Sequence, residues 1–310
     1  MRLSILTATY NRANCLEKLY KSIVQNKESI VQNKKKSKKS TAQNRENSEK
    51  SILRNQEKNQ LEVEWIIIDD GSTDKTKTIV EQFIAEKMIK IKYVYQQNSG
   101  KMVAINRAVE FATGELIVDC DSDDFFVENA FKIIKQNASR LLENEQLYAL
   151  CFLKEDFLGN ISGKKFPLNN MESTMFDLYF KQDIEGEKIL VFNARVRKKY
   201  RHKLEKNEKF VTEARMYHKM DEKYKILCIN EVLEIGDYKE DGYTKNISKT
   251  FKTSPNGYYK YFKEILQKGL NGVLYKKKIY VLKHFVLFWI LKSFWHFKVK
   301  SFFGFHNRKS

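Results

Sequence analysis

Strand-length apolar runs alternate with helical stripes through the first half of this chain, and that alternation limits the folds open to it. Residues 2–8, 63–68, 91–95, 116–120 and 147–153 are short runs rich in β-branched and aromatic side chains. Between them apolar residues recur at helical spacing: Leu16, Leu19, Tyr20, Ile23 and Val24; Ile79, Phe83 and Ile84; Met102, Ile105, Val109 and Ala112; Phe131, Ile134, Ala138 and Leu141. Continuous apolar strands need cover on both faces. A β-α-β series of this kind therefore folds as an α/β, mostly parallel sheet between helices, joined by right-handed crossovers. Ligands of such sheets bind beyond the carboxyl ends of the strands. Three polar clusters fall there: Thr9-Tyr10-Asn11, Asp69-Asp70 and Asp121-Ser122-Asp123-Asp124.

A net charge of +18 raises the question of nucleic acid, and its distribution answers it. Residues 26–62 hold ten Lys or Arg against five Asp or Glu, and residues 265–310 hold ten with no acid. The body between them is nearly neutral, whereas a nucleic-acid-binding domain concentrates charge on its folded reading face. No nucleic-acid partner is expected. The first basic tract repeats residues 22–27 (SIVQNK) at 29–34 and continues as a Lys, Asn, Gln, Ser and Glu sequence. It has too little apolar surface to offset its ordering entropy, so residues 26–62 are expected to form a disordered insert.

The second tract crowds Phe, Trp, Leu and Val around Lys283, Lys292, Lys298 and Lys300. Its charge-free runs are far shorter than the ~20 apolar residues that span a bilayer. A helical extension over 276–305 lying on an anionic membrane surface is expected instead. Lys283 and Lys292 would project from nearly opposite sides of one straight helix, which predicts two short helices or a kink. Cys15, Cys120, Cys151 and Cys228 form no CxxC pair, and the N-terminal residues do not resemble a leader peptide. The expected location is cytoplasmic, peripheral on the inner face of the cell membrane.

The usual nucleotide loops are missing from the sequence. No strand is followed by GxGxxG, and Ser99-Gly100-Lys101 lacks the first glycine and the Ser or Thr of a P-loop. The acidic cluster offers another phosphate device. Asp119, Asp121, Asp123 and Asp124 at one strand end repel one another unless a cation neutralises them. Their hard oxygens suit Mn²⁺ or Mg²⁺, completed by substrate phosphate and water. Alternation along an extended segment would place Asp121 and Asp123 on one side. A base to take a proton from the attacking group is then required, and the second half of the chain is expected to supply it.

Four segments carry a family resemblance: TATYNR (7–12), IIDDGSTD (67–74), NSGK (98–101) with Ala104 and Asn106, and GELIVDCDSDD (114–124). In this order and spacing they resemble family 2 glycosyltransferases of the GT-A fold, of the bacterial polysaccharide and lipopolysaccharide-assembly type. The resemblance implies a metal-dependent, inverting hexosyltransferase with a nucleotide-sugar donor, usually UDP-linked, and a glycan or lipid-linked acceptor. By position, Ala8, Thr9 and Tyr10 would line the nucleoside pocket, and Asp70 would accept a hydrogen bond from uracil. Lys101 would lie by the donor phosphates. Asp121 and Ser122 would face the ribose or sugar, with Asp123 and Asp121 as the metal pair. Members often carry Pro or Thr at the position of Ala8, where this chain keeps only the backbone contact.

Glu213, in KFVTEAR (209–215), corresponds to the glutamate taken as the base in that family, with Asp237 and Asp241 in reserve. The implied organisation is a nucleotide-sugar half over 1–125, an acceptor and catalytic half over 126–250, and a membrane-associating extension over 251–310. Two other functions compete with this one. A HAD-like phosphohydrolase would use Asp119 and Asp121, but its DxD normally lies on the first strand and is followed by Thr or Val, where this chain has Ser122. A non-catalytic binding protein would not need its acids.

Overall fold

The computed structural model describes residues 1–41, 61–236 and 247–304. In chain order the elements begin with β1 (Arg2–Thr9), α1 (Ala13–Thr41), β2 (Glu62–Asp69), α2 (Thr76–Glu86), β3 (Lys90–Tyr95) and α3 (Lys101–Phe111). Next come β4 (Leu116–Asp119), β5 (Phe125–Phe126), α4 (Ala130–Leu142), β6 (Leu147–Glu155), β7 (Met171–Ser173) and a π-helical turn (Asp177–Lys181). The chain continues through β8 (Lys188–Asn193), α5 (Ala194–Arg197), α6 (Ala214–Met220), β9 (Lys225–Ile235), α7 (Ile247–Thr253), α8 (Pro255–Lys268) and α9 (Tyr275–Gly304). Two compact units result. The first holds Met1–Ser173, Ile184–Arg201 and the strand β9; the second gathers Thr174–Asp183, His202–Glu222 and the C-terminal helices.

The first unit is built on one sheet of order β3-β2-β1-β4-β8-β6-β9-β5, with β7 against β9. β3, β2, β1 and β4 pair in parallel, as the alternation predicts. β6 does not adjoin β4, however. β8 lies between them, antiparallel to both, and β9 then pairs in parallel with β6. The insertion keeps β6 and β9 pointing the same way as β1 and β4. Side-chain periodicity reports which residues are buried and not which strand is their neighbour, so the alternation alone does not specify this order.

One layer of the core explains why α1 and α2 sit where they do. Leu16, Leu19, Tyr20 and Ile23 of α1 are buried against the sheet with Val80 and Phe83 of α2. Tyr20 and Phe83 stack with ring centroids 4.1 Å apart, and Trp65 satisfies its buried indole by donating to Thr7 Oγ1 at 3.0 Å. Each such side chain contributes roughly 1.5–3 kcal/mol by leaving water. The helix α1 also continues to Thr41, so residues 26–41 are helical and not part of a disordered insert. Lys, Gln and Glu are good helix formers, and no Gly or Pro interrupts the run. Leu61 of that expected insert is buried and Glu62 opens β2, while 42–60 lie outside the described residues.

A buried polar knot sets the register of β4. Ser4 donates to Glu64 Oε1 at 2.7 Å, and the Thr113 amide donates to the same oxygen at 2.7 Å. The Gly114 amide donates to Ser4 Oγ at 2.9 Å. A Cβ on Gly114 would stand 2.6 Å from the Arg2 carbonyl oxygen, so only glycine permits this approach. β4 is thereby locked beside β1, and its acidic end leaves the sheet at the same edge as the ends of β1 and β2.

In the second unit, α8 and α9 pack through Tyr258, Phe262 and Ile265 against Val281 and Phe288. Glu208 accepts the Asn256 and Gly257 amides at 2.7 and 2.8 Å, satisfying the start of α8. α9 is one continuous helix rather than two short ones. The conflict between Lys283 and Lys292 is resolved differently: Lys292 turns inward, its Nζ 3.5 Å from the centre of the Tyr259 ring, while Lys283 stays exposed.

Candidate active site

The carboxyl ends of β1, β2 and β4 converge in the first unit. The turns after β1 and β2 are stitched together. The Asp70 amide donates to Thr9 O at 2.8 Å, the Asn11 amide to Ser72 Oγ at 2.9 Å, and the Thr73 amide to Asn11 Oδ1 at 2.8 Å. Asp74 accepts amides from the starts of both α1 and α2, Ala13 at 3.1 Å and Thr76 at 3.0 Å. Burial works against its charge, but these hydrogen bonds outweigh that and hold its carboxyl below the ordinary value. Asp69 accepts the Ser72 amide and the Tyr93 hydroxyl at 2.7 and 2.6 Å.

Asp70 is nearly saturated by its own chain. Its Oδ1 accepts Gln96 Nε2 at 2.7 Å and the Ser99 amide at 2.8 Å, and its Oδ2 accepts the Gly100 amide at 2.7 Å. Three of about four acceptor positions are filled by these contacts. The same contacts fix the start of α3, where Gly100 adopts a φ of 101° and Lys101 begins the helix. At the end of β1, Ala8 is partly exposed and Tyr10 is 48% exposed, but Thr9 is buried. Alternation along the strand turns the Thr9 side chain to the opposite face.

Beyond Asp119 the chain turns instead of running on extended: the Asp124 amide donates to Asp121 O at 3.1 Å. Strand alternation is therefore not what brings Asp121 and Asp123 together; the turn is. Lys101 Nζ reaches both oxygens of Asp121, at 2.7 and 2.8 Å. Burial disfavours this charge, but Lys101, with Lys154 and Arg12, outweighs it and holds the carboxyl below its ordinary value. Asp123 shifts the other way. Burial and the charge of Asp121 push it up, only partly offset by Arg12 and Lys101. Ser122, between them, is buried.

Among the described residues no three His, Cys, Asp or Glu converge as a protein-only metal cage. The pair present fits a different use. Mg²⁺ and Mn²⁺ are commonly held by one or two carboxylates and take the rest of their shell from phosphate and water. Asp123 carries an unfavourable charge that such an ion would relieve, so the donor set suits a divalent ion shared with a phosphorylated substrate.

Behind the turn lies a polar network that sequence reasoning missed. Lys154, at the end of β6, contacts Asp124 Oδ2 and Glu187 Oε2, each at 2.7 Å. Glu234, 1% exposed, adds a further acid from β9. Burial and neighbouring acids push Asp124 and Glu234 up despite Lys154, which remains protonated. Space is tight here. A Cβ on Gly236 would fall 1.6 Å from Asp124 Oδ1. Arg12 was visible within its motif but carried no assigned role; its charge acts on both Asp121 and Asp123.

Asp119 faces the fully buried Arg197, with 3.6 Å between the charged atoms. Cys120 is buried and its thiol pushed up by that burial, so it is a packing residue. Glu213 belongs to the second unit, directly before α6, where Tyr217 donates its hydroxyl to Oε2 at 3.3 Å. Asp237 and Asp241 lie outside the described residues.

Residues 44–141 match the family described as Glycosyl transferase family 2. An uncharacterised glycosyltransferase of Mycoplasma genitalium is 28% identical over 143 residues, 45% of this chain and 38% of that protein. The chain thus spans well under half the length of that relative. A putative teichuronic acid biosynthesis glycosyltransferase of Bacillus subtilis is 44% identical over 62 residues, 20% of this chain and 24% of its own length. Among solved structures, S. aureus TarS 1-349 in complex with UDP-GlcNAc superposes with a TM-score of 0.55 and 19% identity, over 92% of this chain and 72% of that one. A mannosyltransferase of Pyrobaculum calidifontis in complex with GDP-Man and Mn²⁺ gives 0.51 and 17%, over 86% and 64%.

Proposed function

We propose that this chain is a sugar transferase of glycosyltransferase family 2, on the match of residues 44–141 to that family and the GT-A-like fold. A hexose moves from a UDP-linked donor to a hydroxyl of a glycan or lipid-linked acceptor, with inversion, in surface polysaccharide assembly. The observation that carries this reading is the pairing of Lys101 with Asp121 beside Asp123 and Arg12, at the edge where β1, β2 and β4 end. Two cations and two acids act on one another there, a set that suits a diphosphate and its counter-ion. The bound UDP-GlcNAc and GDP-Man of the similar structures support the donor class, and the Bacillus relative supports the acceptor class.

Each residue then has a task. Ala8 and Tyr10 bound the nucleoside, and Asp70 accepts a hydrogen bond from the base. Lys101 and Arg12 offset the charge of the diphosphate. Asp121 and Asp123 would hold Mn²⁺ or Mg²⁺, which supplies neutralisation of the departing nucleotide diphosphate. Glu213 takes the proton of the acceptor hydroxyl as the new bond forms. The extension over 276–305 attaches the enzyme to the cytoplasmic face of an anionic membrane.

Calorimetric titration with UDP, with and without Mn²⁺, tests the core of the proposal. Binding that strengthens with Mn²⁺ and loses that gain in Asp123→Asn is the expected result. Failure of both UDP and GDP to bind at millimolar concentration with the metal present would overturn it. Glu213→Gln should keep UDP affinity and lose transfer by about 100-fold or more, within the usual range for a missing general base. Near-normal turnover in that variant removes the assignment of Glu213.

A further inference from the structure

The outward face of α9 is apolar, and the structure assigns it to the interfacial layer of a lipid bilayer. The inference rests on the membrane attachment proposed above and specifies the surface that makes it. Val281 and Phe288 are fully buried with Tyr258, Phe262 and Ile265 of α8, so one side of the helix is used inside the second unit. On the other side Ile279, Leu282, Val286, Trp289, Ile290 and Phe294 are between 41% and 69% exposed. Apart from the adjacent Trp289 and Ile290, they recur every three or four residues and line one stripe. Soluble monomers seldom leave so continuous an apolar surface uncovered.

Charge identifies the cover. Lys283 stands exposed within the stripe, and residues 265–310 contain no acid. A second copy meeting this face symmetrically would bring lysine against lysine, whereas anionic headgroups complement it. Among the described residues no helix is long and apolar enough to cross a membrane, so α9 would lie along the surface.

Three other lysines of α9 have partners within the second unit. Lys276 and Lys277 pair with Asp183 at 2.7 and 3.5 Å, and Lys292 sits over Tyr259. With six exposed apolar side chains in the stripe beside the single Lys283, insertion carries most of the affinity. α9 is already folded and braced by α8, so its apolar stripe is presented without prior ordering.

Flotation of the full chain with phosphatidylcholine vesicles, with and without phosphatidylglycerol, tests this. The triple variant Leu282→Ser, Val286→Ser, Ile290→Ser should bind at least tenfold more weakly at an unchanged melting temperature, since all three positions are exposed. Raising salt from about 0.1 to about 1 M shortens the screening length from ~10 to ~3 Å and should weaken binding less than threefold. Binding abolished by salt but untouched by the triple variant would overturn insertion and leave the attachment itself standing. Wild-type chain that floats with neither vesicle would overturn the attachment reading. A dimer in solution that the triple variant dissolves would assign the stripe to a second copy instead.

Discussion

Replacing Asp70 by Asn tests how fully this carboxylate is engaged by its own chain. The wild-type group accepts from Gln96 and Ser99 on one oxygen and from Gly100 on the other. Asparagine keeps one oxygen and presents an NH₂ in place of the other. The Gln96 side chain can flip to meet that NH₂, but the Ser99 and Gly100 amides cannot. Whichever way the new amide points, one backbone N–H faces a donor in a buried site. An orphaned buried donor costs about 1–3 kcal/mol. Losing a negative charge at the start of α3 adds about 0.3–1 kcal/mol. At ~2–4 °C per kcal/mol for a unit of this size, the variant should melt about 3–16 °C lower. Because the same amides precede Lys101, UDP affinity should fall with stability. Differential scanning calorimetry supplies the melting temperature. A variant melting within about 1 °C of wild type would refute the saturation argument.

Glu64 and Lys154 give two further tests. Burial opposes the charge of Glu64, but hydrogen bonds from Ser4 and Thr113, with Lys90 nearby, outweigh it and hold its carboxyl below 4.5. Its stabilising contribution is therefore present above that pH and lost as pH falls through the folded-state value. The melting-temperature gap between wild type and Glu64→Gln should be widest near neutrality and close in acid, and a gap that widens in acid would contradict the sign. Lys154→Met removes the cation that contacts Asp124 and Glu187, leaving the buried Asp124 uncompensated at a cost of about 3–5 kcal/mol. Adding Asp124→Asn should restore part of that loss in urea titrations, and strictly additive effects would show the two groups to be uncoupled.

The parallel strands, their helices and the acidic turn were legible because each is written in neighbouring residues. Burial of a strand needs a run of a few apolar side chains, and the four acids lie within six positions of one another. The extension of α1 to Thr41 was missed because low apolar content argues against burial, yet says little about helix propensity once a packed first half has nucleated the helix.

What the sequence alone determined is local: the periodicity that makes strands and helices, and the chemistry of the ends where three of those strands stop. Tertiary structure decided the company those residues keep. Lys154, Glu187 and Glu234 meet behind Asp124 only because β8 enters the sheet between β4 and β6 and β9 follows, an order no repeat pattern records. Likewise the helical period of α9 places Lys283 and Lys292 on opposite sides. Only packing against α8 chooses which side is covered, because the energy of burial depends on the partner surface and not on the spacing of the residues that seek it.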